Sequence, residues 1–296
     1  MIRVFLRGGL GNQMFQYAAG LALVERNKDE LILDATFLLD RWPRRNFTYR
    51  NYALDVFDLK PRFTLLSRAA RALPLPGVWM GLDLLTIGIR NAIGTGKFVG
   101  EKSLKFDPAI LENKGNVTLF GFWQDERYFR EVERDVRGAF VFKDELNGEA
   151  AEIAKEMGEW DSISVHVRRG DYVKTAVVAK QMGGTDIDYY ARAVELITKK
   201  AGRPKIFVFS DDVEWCRENL KFSQPVAFVP AEIGGRSGST HMQLMSLSKH
   251  NVITNSTFSW WAAWLNRNPE KMVVAPKKWF ADGTYAEIVP EAWTKI

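Results

Sequence analysis

The chain has 296 residues, 46% hydrophobic and 26% charged, enough for one large or two medium domains with substantial cores. A single cysteine excludes an intramolecular disulfide and suits a reducing, cytoplasmic setting, and three histidines leave little material for a zinc site. The formal charge of +5 is modest, and no interleaving of basic and aromatic residues points to nucleic acid.

In chain order, residues 2–6 read as a short apolar strand with no cleavable leader before it. Arg7-Gly8-Gly9-Leu10-Gly11-Asn12-Gln13 follows, then a helical pattern over residues 14–26 and a strand at 31–33 ending in Asp34. A strand, glycine turn, helix and strand with an acid at the end invite a dinucleotide site. The match is incomplete, because Met14 stands where the third glycine of G-x-G-x-x-G belongs. Gly9 and Gly11 still allow close backbone approach, and Asn12 and Gln13 offer neutral donors and acceptors.

Residues 35–100 show helices and loops without a repeat. Within them, residues 41–71 hold eight Lys/Arg against two Asp, a patch suited to solvent, an anionic membrane or a phosphorylated substrate. The most apolar run, residues 73–89, is broken by Pro74, Pro76, Asp83 and three glycines, and is too short to span a bilayer. Residues 116–123 alternate like a strand and lead through Gln124-Asp125-Glu126 into a charged helix at 127–136. The polar stretch 143–148 marks a boundary, giving expected domains 1–147 and 148–296.

The second half alternates strands (162–168, 205–209, 226–229, 252–254, 272–275) with helices (189–200, 213–221, 242–249, 258–266), the pattern of a largely parallel sheet. Two such halves predict a two-domain architecture with a cleft between them. In the first of these strands Ile163, Val165 and Val167 point one way, and Ser164, His166 and Arg168 the other. Arg168, Arg169, Gly170 and Asp171 then fall at the carboxyl end, where open α/β sheets bind ligands. Two guanidinium groups on a glycine turn suit a phosphate or pyrophosphate; the plainer reading is a surface pair bridged to Asp171 and nearby acids. Asp211 and Asp212 end the next strand, as helix caps or as carboxylates accepting the paired N–H donors of a guanine. Asn255, Ser256, Thr257, Phe258 and Ser259 open a helix, either as an N-cap or as an anion site. Asp186-Ile187-Asp188 looks like a D-x-D metal motif but sits where helix capping expects an acid. Cys216 falls inside a helix, as a structural thiol.

Four blocks resemble one family. They are residues 8–17 (Gly-Gly-Leu-Gly-Asn-Gln-Met-Phe-Gln-Tyr), residues 121–124 with Tyr128-Phe129, residues 166–172 (His-Val-Arg-Arg-Gly-Asp-Tyr), and Leu244-Met245-Ser246 through Trp260-Trp261. Their order and content resemble the bacterial α-1,2-fucosyltransferases, glycosyltransferase family 11; residues 40–110 carry no match. The resemblance implies an α/β, GT-B-type fold, two Rossmann-like domains facing a central cleft with the N-terminal one on the acceptor side. It further implies GDP-fucose as donor, inversion at the anomeric carbon, no metal and no separate cofactor. The implied acceptor is the 2-hydroxyl of a galactose in a cell-surface glycan or its lipid-linked precursor, reached from the cytoplasm with or without peripheral membrane contact.

By the same resemblance Arg168 matches the family's catalytic arginine and would hold charge on the departing β-phosphate. Arg169 and residues Asn255, Ser256, Thr257, Phe258 and Ser259 would shape the phosphate and fucose pocket. His166, Asp211 and Asp212 would address the guanosine, with Gly9, Gly11 and Asn12 on the opposing domain and Asn12 meeting the sugar. Asp171, Asp125, Glu232 and His241 are candidates for the general base. This chain has Ser239-Thr240-His241 where family members often carry an acid before Leu-Met-Ser, so any role of that acid is in doubt here. Two other classes stay open: an NAD(P)-dependent oxidoreductase using the glycine turn and Asp34, and a non-catalytic nucleotide- or sugar-binding protein.

Overall fold

The computed structural model describes residues 1–44, 48–170, 186–282 and 287–296. These divide into two compact units, Met1–Lys143 and Asp144–Ile296, each built on one parallel sheet. The first sheet contains β1 (Ile2–Phe5), β2 (Leu31–Asp34), β3 (Arg62–Phe63), β4 (Lys97–Gly100) and β5 (Val117–Phe120), in the order β3-β2-β1-β5-β4. Helix α1 (Leu10–Asn27) starts a turn earlier than residue 14, with Gly9 as its extended N-cap. Gly8 makes the entry possible: its φ is +80°, and a Cβ there would lie 2.4 Å from the Asn12 amide. Leu10, Met14, Ala18 and Ala22 bury one stripe of α1, and the left-handed Lys28 stops it by returning its N–H to Val24.

The helix expected at 127–136 is broken. Two 3₁₀ turns, Glu126–Tyr128 and Arg130–Val132, precede helix α5 (Glu133–Ala139) once α2 (Thr36–Leu39), α3 (Leu65–Ala72) and α4 (Val78–Ala92) have been counted. Asp125 caps the first turn by accepting the Arg127 N–H at 2.9 Å, and the adjacent Tyr128 and Phe129 both turn inward. Two consecutive large side chains cannot share one helical stripe, and the chain turns to bury both.

Asp34 is not positioned for a ribose. It is wholly buried, ion-paired to Arg3, and accepts the Thr36 N–H at 2.9 Å and the hydroxyls of Thr36 and Ser67. Arg3 also pairs with Asp83 of α4, so one guanidinium lies between two buried carboxylates. Burial, then the hydrogen bond and charge of Asp34, push the Asp83 carboxyl up to about 7 against the pull of Arg3.

In the second unit α6 (Gly148–Glu159) leads into β6 (Asp161–Val167), followed by α7 (Ile187–Thr198), β7 (Pro204–Ser210), α8 (Val213–Asn219) and β8 (Val226–Phe228). Then come α9 (Ser239–Leu247), β9 (His250–Val252), α10 (Thr257–Leu265), β10 (Val273–Ala275) and β11 (Thr294–Lys295). The sheet order is β11-β10-β9-β6-β7-β8. Counting β6 as the first strand, this is the 3-2-1-4-5-6 order of a Rossmann sheet. The chain runs outward from β6 through β7, then restarts on the other side at β9, opening a crevice at the carboxyl ends of β6 and β9.

The alternation read in β6 holds, and both faces are covered, as parallel sheets require. Ile163, Val165 and Val167 pack with Tyr189, Val194 and Ile197 of α7 and with Cys216 of α8. On the other face the Ser164 hydroxyl accepts the Asn251 amide at 2.7 Å and the Ser162 hydroxyl accepts the Lys249 N–H at 3.1 Å, tying β6 to β9. Cys216 is buried and its thiol is pushed up by burial, as befits a structural residue. Trp260 and Trp264 stack, and Trp261 meets both edge to face inside this unit, so these tryptophans serve the core. Among the described residues no helix is long and apolar enough to cross a membrane.

Candidate functional site

The crevice edge of the second unit gathers most of the expected residues. Val167 pairs with Ser210 in register, so the residues after β6 and β7 emerge side by side. The Asp211 carboxylate meets Arg168 Nη1 at 2.8 Å and accepts the N–H groups of Arg169 at 2.9 Å and Gly170 at 3.1 Å. Although burial acts to raise it, Arg168 and these two N–H groups hold the Asp211 carboxyl below its usual range. Asp212 caps α8 through the Trp215 N–H and accepts Arg169 Nε at 3.1 Å, while the Arg169 guanidinium lies 3.7 Å from the Trp215 ring centroid. The two acids therefore build the arginine turn. Each of their four oxygens accepts a bond within this turn.

Gly170 leaves room for this carboxylate, since a Cβ there would lie 2.4 Å from Asp211 Oδ2. Gly170→Ala should displace that carboxylate from Arg168 while leaving the sheet intact. The expected outcome is a roughly tenfold loss of turnover, part of the about 1.5–3 kcal/mol of a charge-assisted bond, with little change in melting temperature. A variant melting well below wild type would make Gly170 a folding residue instead.

His166 precedes this turn and is 6% exposed. Burial, then the charge of Arg168, push its imidazole down to about 3, so it is neutral near pH 7. Its Nδ1 has no hydrogen-bond partner among the described residues, and its ring packs against Phe258 at 5.5 Å. A buried, neutral ring nitrogen without a partner is a costly arrangement unless a ligand completes it.

Phe258 belongs to the first turn of α10. Ser256 is the N-cap, but its side chain makes no capping bond, so the first N–H groups of α10 are not satisfied by it. The neighbouring residues have structural work: Asn255 donates to the Trp279 carbonyl at 3.0 Å, and the Ser259 hydroxyl donates to the Ser256 carbonyl at 3.2 Å. Thr257 is half-buried beside them.

The proposed bases are distributed differently. Asp171 lies outside the described residues. Asp125 is buried in the first unit and held by the Arg127 guanidinium at 2.5 Å. His241 contacts the Pro230 carbonyl through Nε2 at 2.9 Å and is pushed down by burial, and Glu232 is exposed. Asp186 caps α7 through the Asp188 N–H, the helix-cap reading of that pair. Among the described residues no three His, Cys, Asp or Glu side chains gather to hold a metal ion.

The segment leading into α9 was not singled out in the sequence, and neither were α6 and β11. Gly234-Gly235-Arg236-Ser237-Gly238 runs from β8 into α9 with positive φ at Gly235, Ser237 and Gly238. A Cβ on Gly238 would lie 2.9 Å from the Phe258 ring, and one on Gly234 would touch His241. Three glycines in five residues between a strand and a helix were the available signal.

In the first unit the turn after β1 and the end of β5 converge. Gln124 donates to Asn12 Oδ1 at 2.8 Å, and Arg7 stacks on Phe120 and Phe122 at 4.7 and 4.1 Å. Glu101 accepts the N–H groups of Phe122 and Trp123 at 2.8 and 2.9 Å. Gly9 leaves open space where a Cβ would stand, and Gly11 is buried within α1. Arg7 and Glu101 were not singled out in the sequence, because nothing local marks them.

The family model for glycosyl transferase family 11 matches residues 91–296. An α-1,2-colitosyltransferase of Escherichia coli is 33% identical over 98% of this chain and 97% of its own length. The chain belongs to glycosyltransferase family 11. A second Escherichia coli relative of this family 11 enzyme, the O-antigen biosynthesis glycosyltransferase WbnK, is 31% identical over 98% of the chain and 99% of its own. A galactoside α-(1,2)-fucosyltransferase of Ateles belzebuth is 26% identical over 88% of the chain and 64% of its own. Among solved structures, the fucosyltransferase NodZ from Bradyrhizobium superposes with a TM-score of 0.52 at 16% identity, covering 88% of this chain and 91% of that one. The glycosyltransferase thus has a GT-B-type α/β fold. Family membership and the burial of Asp34 together set aside the nicotinamide reading.

Proposed function

We propose that the enzyme transfers L-fucose from GDP-fucose to the 2-hydroxyl of a terminal galactose, inverting the anomeric carbon without a metal. The observation that carries this reading is Arg168, oriented by Asp211 at the carboxyl end of the central strand. It shares that edge with the start of α10 and with the nitrogen of His166 that has no hydrogen-bond partner among the described residues. As the glycosidic bond breaks, fucose becomes oxocarbenium-like and negative charge grows on the β-phosphate. A preoriented guanidinium and the N–H groups at the start of a helix stabilise that charge more in the transition state than in the ground state. His166 would donate to or accept from the nucleotide in its neutral form. The acceptor we infer is a galactoside of a surface glycan or its lipid-linked precursor, in keeping with the names of the relatives.

GDP should raise the melting temperature by several degrees in EDTA. Ligand at a hundredfold over Kd adds about 2.7 kcal/mol. Equal protection by ADP and UDP would remove guanine selectivity, and loss of protection on chelation would remove the metal-free mechanism. Turnover is tested by incubating GDP-fucose with a panel of galactosides, following GDP release and locating the new linkage by NMR. Consumption of another nucleotide sugar, with none of GDP-fucose, would overturn the donor. Similarity to the colitosyltransferase favours one second reading, transfer of colitose, which lacks the 3-hydroxyl of fucose; GDP-colitose assayed in parallel separates the two.

A further inference from the structure

Helix α4 is amphipathic in the inverse sense. The side chains it buries are Asp83, paired with Arg3, and Ile87 four residues on. Val78, Leu82, Leu85, Ile89 and, just past the end, Ile93 recur at helical spacing on the opposite face, each between 43% and 65% exposed. A helix of 15 residues is about 22 Å long. It therefore carries a continuous apolar ridge that the fold leaves in water, where an ordinary surface helix would be polar.

The surroundings identify what the ridge meets. Residues 65–97 contain Arg68, Arg71, Arg90 and Lys97, all exposed, and their single acid is the buried Asp83. Helix α3 and strand β4, which carry three of these cations, pack against α4. Trp42 stands at the start of α4, 57% exposed, with its ring against Gly77. The basic patch expected at 41–71 is partly neutralised, because Arg44 pairs with Asp40 and Arg62 with Glu30. The cationic rim of α4 has no exposed acid of its own stretch to balance it.

We propose that α4 docks this enzyme on an anionic lipid bilayer, lying flat with its apolar ridge among the acyl chains and its arginines and lysine at the headgroups. Apolar side chains flanked by cations and an interfacial tryptophan are the composition that binds such a surface. A second copy of the chain fits less well, since a two-fold contact would set this cationic rim against itself. The inference rests on α3, α4 and β4 and stands independently of the donor and acceptor reading. Most of α4 lies before residue 91, where the family match begins.

The full chain should co-sediment at low salt with vesicles of phosphatidylcholine and phosphatidylglycerol, and far less with phosphatidylcholine alone. Leu82→Glu with Leu85→Glu should abolish binding, and Arg68→Gln with Arg71→Gln should weaken it roughly tenfold or more. Tryptophan emission of the wild type should shift to the blue on mixing with the anionic vesicles, and Trp42→Phe should lose most of that shift. Circular dichroism melts matching wild type show that the variants fold. Absence of wild-type binding, equal binding to both vesicles, or unchanged binding by the folded glutamate variant would each overturn the proposal. So would a wild-type dimer in sedimentation velocity that the glutamate variant loses, since it would place a second copy on the ridge.

Discussion

Arg168→Lys is expected to lower turnover by roughly 30- to 150-fold while GDP binding weakens much less. The guanidinium is held by Asp211 at 2.8 Å, so its plane is fixed in direction before substrate arrives. Lysine keeps the charge but loses the planar fork, and the missing contact matters most when the β-phosphate gains charge. One oriented donor of this kind is worth about 2.7–4 kcal/mol in the transition state, and the retained charge of lysine keeps part of it. Arg169→Lys should behave otherwise. Its guanidinium stacks on Trp215 and bonds Asp212, so lysine there should lower the melting temperature and leave kcat closer to wild type. Single-turnover rates and GDP affinity, measured on both variants, separate the roles. Near-normal turnover in Arg168→Lys would reduce the motif to a structural turn and remove the leaving-group assignment.

Arg3→Leu is expected to destabilise the first unit by about 3–5 kcal/mol near pH 8, the usual consequence of removing one member of a buried ionic cluster. Asp34 and Asp83 would then face each other without the cation between them. The folded Asp83 carboxyl already lies above its ordinary value of 3.8, at about 7. A carboxylate raised on folding contributes fully below its unfolded value, and that contribution is lost as pH rises through the folded one. Without Arg3 the folded value rises further, so the deficit should shrink towards about pH 5, where Asp83 stays protonated. Urea unfolding of wild type and variant at the two pH values measures this; an equal deficit at both would assign the loss to packing alone.

Local pattern was enough to read several parts of the chain. The alternation of residues 162–168 is present in β6, and the strands and helices of the second half occur where the periodicity placed them, with ends shifted by a few residues. Glycine at 8 and 170 marked turns that a Cβ would close. These features depend on side-chain period and backbone sterics, which act over a few residues and so are written locally. The family blocks were legible for the same reason, each being a short run at a strand end.

Tertiary structure alone decided the rest. The order β11-β10-β9-β6-β7-β8 sets the crevice between β6 and β9, and no local pattern says which strand pairs with which. Asp34 was a fair ribose ligand in sequence, yet Arg3, Thr36, Ser67 and the neighbouring Asp83 turn it inward from residues up to about fifty positions away. Asp211 and Asp212 had two readings because capping and base recognition ask for the same carboxylate; that they also build the arginine turn was set by the position of Arg168 and Arg169. In α4 the sequence determined an apolar helix, and the contact of Asp83 with Arg3 determined which face points outward. Burying a charge requires its partner, and here the partner lies eighty residues earlier, on β1.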